Sequence, residues 1–276
     1  MSIRRLAFAT AILCLTTQLS TAGELPVAKP ESVGMSSERL AKVDVVMDNL
    51  VKEKKLVGGI IMIARQGKVV HLKSHGLMDL EAQKPMRDDA LLRIYSMSKA
   101  ITTAAALILH DEGKLKLDDP VSKYVPEVKD CKVIGKDGTF VPDRPMTVRD
   151  LMLHTSGLTY GASGIEVSDK KYRELKVMDF DSTLAQMGAK LGDVPLIFAP
   201  GTDWSYGIST DVLGRVVEVV SGKALDVYFQ ERIFSPLEMT DTGFSVPADK
   251  LDRFAANYTS DGKGNLTLRE AAKDSE

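Results

Sequence analysis

Three places in the chain set a serine three residues ahead of a lysine: Ser96/Lys99, Ser168/Lys171 and Ser260/Lys263. A serine hydroxyl attacks a carbonyl only if a nearby group takes its proton, and an amine within hydrogen-bond reach can do so. The pairing is cheap as a motif. With 20 serines and 23 lysines in 276 residues, about one or two pairs arise by chance. Ser168 lies in VSDKKYRE and Ser260 in TSDGKGN, polar stretches expected to be solvated. Ser96 is different: it stands in IYSMSKAITTAAALIL, at the mouth of a run of small and apolar side chains.

That run is read as a helix ending near Gly113. Its first turn offers Ser96 free backbone N–H groups and the positive end of the helix dipole. Lys99, three residues on, faces the same side. Burial through Ile101, Ala104, Ala105 and Ile108 is expected to desolvate Lys99, which lowers the pKa of an ammonium. The plainer alternative stays open on this stretch alone: Ser96 or Ser98 caps the helix and Lys99 reaches out to solvent.

Other elements surround it. GMSSERLAKVDVVMDNLVKEKK is a helix by spacing, capped at Ser36 or Ser37, and GGIIMIARQGKVVHLKSHG is two strands about a turn at Arg65–Lys68. TVRDLMLHTSG opens with a capping box, Thr147 and Asp150, and closes at Gly157. KLKLDDPVSKYVPE is read as extended. DVLGRVVEVVSG is a helix stopped by Gly222, and a last helix covers Leu225–Phe234. A helix and a hairpin followed by a helical block predict an α+β fold, not a parallel βαβ sheet.

Composition sets limits. The chain is 44% hydrophobic and 27% charged with a formal charge of -2 and a pI near 6.1, enough for a sizeable core and with no basic block that would track phosphates. Nucleic acid is therefore not an expected partner. Arg4 and Arg5 precede an apolar stretch, Leu6–Leu15, roughly half the length of a membrane span. Ser20 and Ala22 offer a small-residue cleavage site before Gly23. Residues 1–22 are read as a signal peptide and 23–276 as one domain, periplasmic or secreted, with no membrane span once the signal is removed. Cleavage takes two arginines and no acid, moving the formal charge to -4. It also removes Cys14, leaving Cys131 with no intramolecular partner.

Remaining signals are weaker. His71 and His75 stand four apart on a strand, a spacing expected to spread them, so no metal site is assigned. His154 ends a helix before a glycine turn and is assigned local hydrogen bonding. No G-x-S-x-G occurs. Trp204, beside Tyr206, suits either a cleft wall or packing.

In order along the chain, LRIYSMSKAITTAAALIL, GKLKLDDPVSKYVPE, TVRDLMLHTSGL, PGTDWSYGISTDVLGRVVEVVSG and IFSPLEMTDTGF resemble the serine β-lactamase-like family. That family includes class C β-lactamases, family VIII carboxylesterases and D-amino-acid peptidases. The likeness covers about Pro30 to Phe244. It implies a β-lactamase/transpeptidase-like fold, an antiparallel sheet flanked by helices plus a mostly helical subdomain. It also implies Ser96 as nucleophile, Lys99 as its partner and Tyr206 as the second-motif tyrosine, with no cofactor and no metal. The implied reaction passes through an acyl-enzyme on Ser96, with the Ser96 N–H as half of an oxyanion hole and a small ester or amide as substrate.

Two departures refine the expectation. Tyr206 is followed by Gly207 and Ile208, where the β-lactamase form has Tyr-x-Asn, so a carboxylesterase is expected over a β-lactamase, a D-amino-acid peptidase or a non-catalytic penicillin-recognising sensor. The family's third motif, Lys-Thr-Gly or a His-x-Gly or Trp-x-Gly variant, does not occur between Tyr206 and Glu276. The closing strands are accordingly expected to be missing and the chain to be a fragment.

Overall fold

The computed structural model describes residues 25–261, 263 and 265–274; the expected signal peptide, 1–22, and Cys14 lie outside them. Ser36 caps the first helix, its hydroxyl accepting the Arg39 N–H at 3.2 Å, and α1 runs Ser37–Lys52. Strands β1 (Gly58–Arg65) and β2 (Lys68–Asp79) form the expected hairpin. Gln66 and Gly67 turn it with φ of 53° and 69°. A two-residue β3 (Lys84–Pro85) adds to β2, giving the antiparallel order β1-β2-β3.

Helix α1 lies on this sheet. Val33 and Leu40 meet Val70 there, with Met35 and Ile63 at the margin. Polar groups share the interface: Asp44 Oδ1 stands 3.0 Å from His71 Nε2 and 3.4 Å from His75 Nε2, and its Oδ2 takes Lys73 Nζ at 3.1 Å. Asp48 meets the other nitrogen of His75 at 2.8 Å. Residues 71, 73 and 75 share one strand face because side chains alternate. The two rings lean inward and converge on Asp44, which corrects the expectation that the strand keeps them apart. Among the described residues no group of three or more His, Cys, Asp or Glu forms a metal-holding arrangement.

The larger core is helical. It is built from α2 (Ser98–Asp111), α3 (Val148–Leu153), α4 (Glu166–Glu174), α5 (Leu184–Lys190), α6 (Ser209–Ser221) and α7 (Leu225–Phe229). A π-helical turn, Gln230–Phe234, continues α7. The short hairpin of β4 (Val133–Gly135) and β5 (Gly138–Phe140) precedes α3. KLKLDDPVSKYVPE is less extended than expected, since Val121–Lys123 and Pro126–Asp130 are 3₁₀ turns.

Helix α6 occupies the middle, in contact with α2, α3, α5 and α7. Val212, Leu213, Val216 and Val217 on it are wholly buried, and each such side chain contributes about 1.5–3 kcal/mol relative to exposure. Helix α2 buries Thr102, Ala105, Ala106 and Leu109. Ile101 and Ile108 sit at the core's edge and Ala104 is exposed, so the apolar stripe is rotated from the expected one.

The sheets are built from antiparallel pairs and not from βαβ units, which makes the fold α+β. Two hairpins went unread in the sequence: β4–β5, and β6 (Asn257–Ser260) pairing with β7 (Leu266–Glu270) as a separate two-stranded sheet. The β6–β7 hairpin ties back to the first sheet through Tyr258, whose hydroxyl accepts the Leu80 N–H at 2.7 Å and donates to Glu81. No helix among the described residues is long and apolar enough to cross a membrane.

Candidate active site

Ser96 is set by the segment that leads into α2. Arg93 anchors it: its guanidinium lies 4.2 Å above the Phe254 ring, donates to Ala255 O at 2.7 Å and pairs with Glu270 at 3.1 Å. Tyr95 then takes a φ of 41°, a left-handed conformation that a bulky residue keeps only when its surroundings hold it. Asn257 does so by donating to the Tyr95 hydroxyl at 2.6 Å. The 3₁₀ turn Tyr95–Met97 presents Ser96 to solvent and runs straight into α2. One turn on, the half-buried Lys99 donates from Nζ to Ser96 Oγ at 3.2 Å.

Tyr206 reaches the same point from the other side of the core. The capping box of α3 forms as expected, Thr147 and Asp150 bonding each other's backbone N–H. Asp150 is buried, and burial alone would raise its pKa. The Arg144 fork at 2.7 and 2.9 Å, with Thr147 and Thr155, outweighs that and holds the carboxyl down at about 2. Helix α3 ends at His154 in the left-handed region, φ 58° and ψ 33°. Its carbonyl accepts the Ser205 N–H at 3.0 Å. Two wholly buried hydroxyls, Ser156 and Ser209, meet at 2.8 Å and fasten the HTSG turn to the start of α6. Gly207 is required here: a Cβ would stand 2.6 Å from Thr159 Cα. These ties aim Tyr206 at Lys99.

The resulting cluster is cationic at its centre and aromatic around it. Lys99 Nζ lies 4.6 Å from the Tyr206 ring centre and 5.8 Å from that of Tyr160. His154 lies against Tyr206 at 4.8 Å and 36°, Tyr160 meets it edge-on at 5.8 Å, and Trp204 stacks beside it at 6.3 Å. Trp204 is 60% exposed and Tyr206 41%, so both present ring surface to solvent.

Burial acts to lower the Lys99 ammonium, as the sequence suggested. Hydrogen bonds with Tyr206 and Tyr160 outweigh it, and the pKa stands above the ordinary lysine value. The Tyr206 phenol moves the opposite way, lowered by its hydrogen bonds to Lys99 and Ser96. His154 is lowered by burial and by the charge on Lys99. Both shifts favour a charged Lys99 beside a phenol that ionises more easily than usual. The lowering by burial expected from the sequence is present, but the two tyrosines oppose it.

Of the sequence-marked residues, Ser96, Lys99 and Tyr206 come together. Ser168 does not join them. It is buried, not solvated, and donates to Pro195 O at 3.0 Å, while Lys171 pairs with Glu174 at 3.4 Å. Ile208 is wholly buried in the helical core and does not face the cleft, against the expectation that it marks a substrate contact. His154 was assigned local hydrogen bonding, but its Nδ1 has no partner and its ring lies against Tyr206; Tyr160 went unread, its signal being its place in HTSGLTY, downstream of the capping box.

A helix-mouth serine with a lysine one turn on, faced by a tyrosine across a helical core, defines the β-lactamase/transpeptidase-like class. The beta-lactamase family model matches residues 43–274, and the chain belongs to that family. It is 36% identical over 222 residues to esterase EstB of Burkholderia gladioli, covering 79% of this chain and 54% of EstB. To the lovastatin esterase of Penicillium rubens it is 32% identical over 211 residues, 73% of this chain and 52% of that enzyme. Among solved structures, EstCE1, a hydrolase with promiscuous acyltransferase activity, matches at TM-score 0.72 and 29% identity, covering 87% of this chain and 66% of EstCE1. A class C beta-lactamase shares the fold at TM-score 0.65 and 23% identity, over 86% of this chain and 60% of that one. The chain thus spans about half the length of the curated relatives it matches.

Proposed function

We propose that this chain carries the acylating machinery of an exported serine hydrolase that cleaves small carboxylic esters. The observation behind it is the exposed Ser96 hydroxyl, 3.2 Å from an ammonium that also lies over the Tyr206 ring. As Ser96 Oγ attacks the ester carbonyl, its proton passes to the Tyr206 oxygen, whose negative charge Lys99 offsets. The Ser96 N–H stabilises the developing oxyanion. The carbon–oxygen bond to the alcohol then breaks, and Tyr206 returns the proton to the leaving oxygen. Water repeats the sequence in reverse order, releasing the acid and Ser96.

Two relatives above 30% identity are named esterases, which favours esters over lactams. A β-lactamase, a D-amino-acid peptidase and a non-catalytic penicillin-recognising sensor are outcomes of the same test. Fluorophosphonate labelling with mass spectrometry should place the adduct on Ser96, and short p-nitrophenyl esters should be turned over with higher kcat/KM than nitrocefin. A label at Ser168 or Ser260 overturns the site. Nitrocefin preferred overturns the substrate class, and labelling without turnover gives the sensor. Export is tested by sequencing the N-terminus of the mature protein, with Gly23 expected first.

A further inference from the structure

We propose that His154 is the positioning residue that holds the Tyr206 phenol against Lys99. The inference rests on the esterase reading for its kinetics, but its geometry stands apart from it.

Three features single the residue out. Its backbone occupies the left-handed helix stop, φ 58° and ψ 33°, a place where glycine or asparagine is the usual choice. A histidine there keeps a ring at the expense of backbone comfort. That ring lies 4.8 Å from Tyr206 on one side and takes Trp204 edge-on at 6.4 Å on the other. Finally, its Nδ1 is buried with no hydrogen-bond partner, so this nitrogen does not anchor the side chain. What the ring supplies is its face.

A neutral, water-excluding face beside Tyr206 has an electrostatic consequence. It keeps solvent from one side of the Lys99–Tyr206 pair, and attraction between charges weakens as water enters. Burial and Lys99 both disfavour a charge on His154, so it brings no second cation to compete with Lys99. The other groups that bear on Tyr206 are Ser96 and Lys99 from the mouth of α2, Tyr160 from its loop, and Asp211 of α6, whose charge opposes ionisation of the phenol. Without the ring, the phenol should drift toward its ordinary proton affinity.

Two substitutions separate the ring from the backbone: His154→Asn, which tolerates the left-handed conformation, and His154→Phe, which keeps a ring without nitrogens. kcat/KM for a short p-nitrophenyl ester is followed against pH. His154→Asn should move the ascending limb up by about one pH unit, a loss of about tenfold at neutral pH, carried by kcat more than KM. His154→Phe should return the limb toward its wild-type position. A limb unmoved in a folded His154→Asn variant, even with activity reduced at every pH, overturns the proposal. If His154→Phe does not fold, the Asn limb alone decides. If the wild type neither labels at Ser96 nor turns over ester, the esterase reading fails by itself. Tyrosinate absorbance, taken as the difference from Tyr206→Phe, then reads the phenol directly, and an unchanged Tyr206 titration in His154→Asn overturns the positioning role.

Discussion

Lys99 and Tyr206 share one electrostatic fate: the ammonium lies 4.6 Å from the phenol ring centre, and each shifts the other's proton affinity in opposite directions. Tyr206 ionises below its usual value of 10.0 while Lys99 stays charged above 10.5. Activity should therefore rise with pH through the lowered Tyr206 value, and fall only where Lys99 loses its proton.

Tyr206→Phe removes the proposed acceptor and leaves the ring. The ascending limb should vanish and kcat should drop by about 100- to 10,000-fold. A limb that survives the substitution assigns the base elsewhere.

Asp150 makes the site's scaffold acid-sensitive. Its carboxyl is depressed from 3.8 to about 2 in the folded chain, so the unfolded chain binds the proton first as pH falls. Its contribution is complete above about pH 4 and is lost as pH drops through about 2, some 2 kcal/mol in all. Asp150→Asn should lower the denaturation midpoint at neutral pH. The gap from wild type should close toward pH 2, and a constant gap would contradict the assignment.

Ile208→Asn separates the cleft from the core. With Ile208 wholly buried, an amide there lacks a partner, which costs about 1–3 kcal/mol before any loss of packing. The variant should unfold at lower denaturant and gain no nitrocefin turnover. A rise in lactam hydrolysis in a stable variant would show that the side chain reaches substrate after all.

Asp44→Ala tests the clasp between α1 and β2. It removes the carboxylate that His71, Lys73 and His75 converge on. An expected loss of about 1–3 kcal/mol in chemical denaturation should leave turnover per folded molecule unchanged. Equal midpoints would mean the cluster is solvated and idle.

Much of this architecture was legible because its signals are local. The Thr147/Asp150 capping box, the turn after Arg65 and the glycine stop at Gly222 each depend on a few neighbours. What stayed hidden depends on distant chain. The rotated stripe of α2 follows from where α6 packs, and Ile208 is turned inward by the same helix. The charge on Lys99 is set by two tyrosines that follow it by some sixty and a hundred positions. Hairpin β6–β7 was missed because its strands are short and mostly exposed, giving little hydrophobic alternation to read.

The same separation in sequence gives the molecule a built-in clock. Ser96 and Lys99 lie on one continuous local segment, a 3₁₀ turn running into α2, and helical turns form in about a microsecond. Tyr206 arrives only when α6 has docked, a contact between distant segments of the kind that slows folding. During refolding, helical dichroism should thus recover before Ser96 becomes reactive. A fluorophosphonate pulse would record the moment at which two halves of a chemical site first meet.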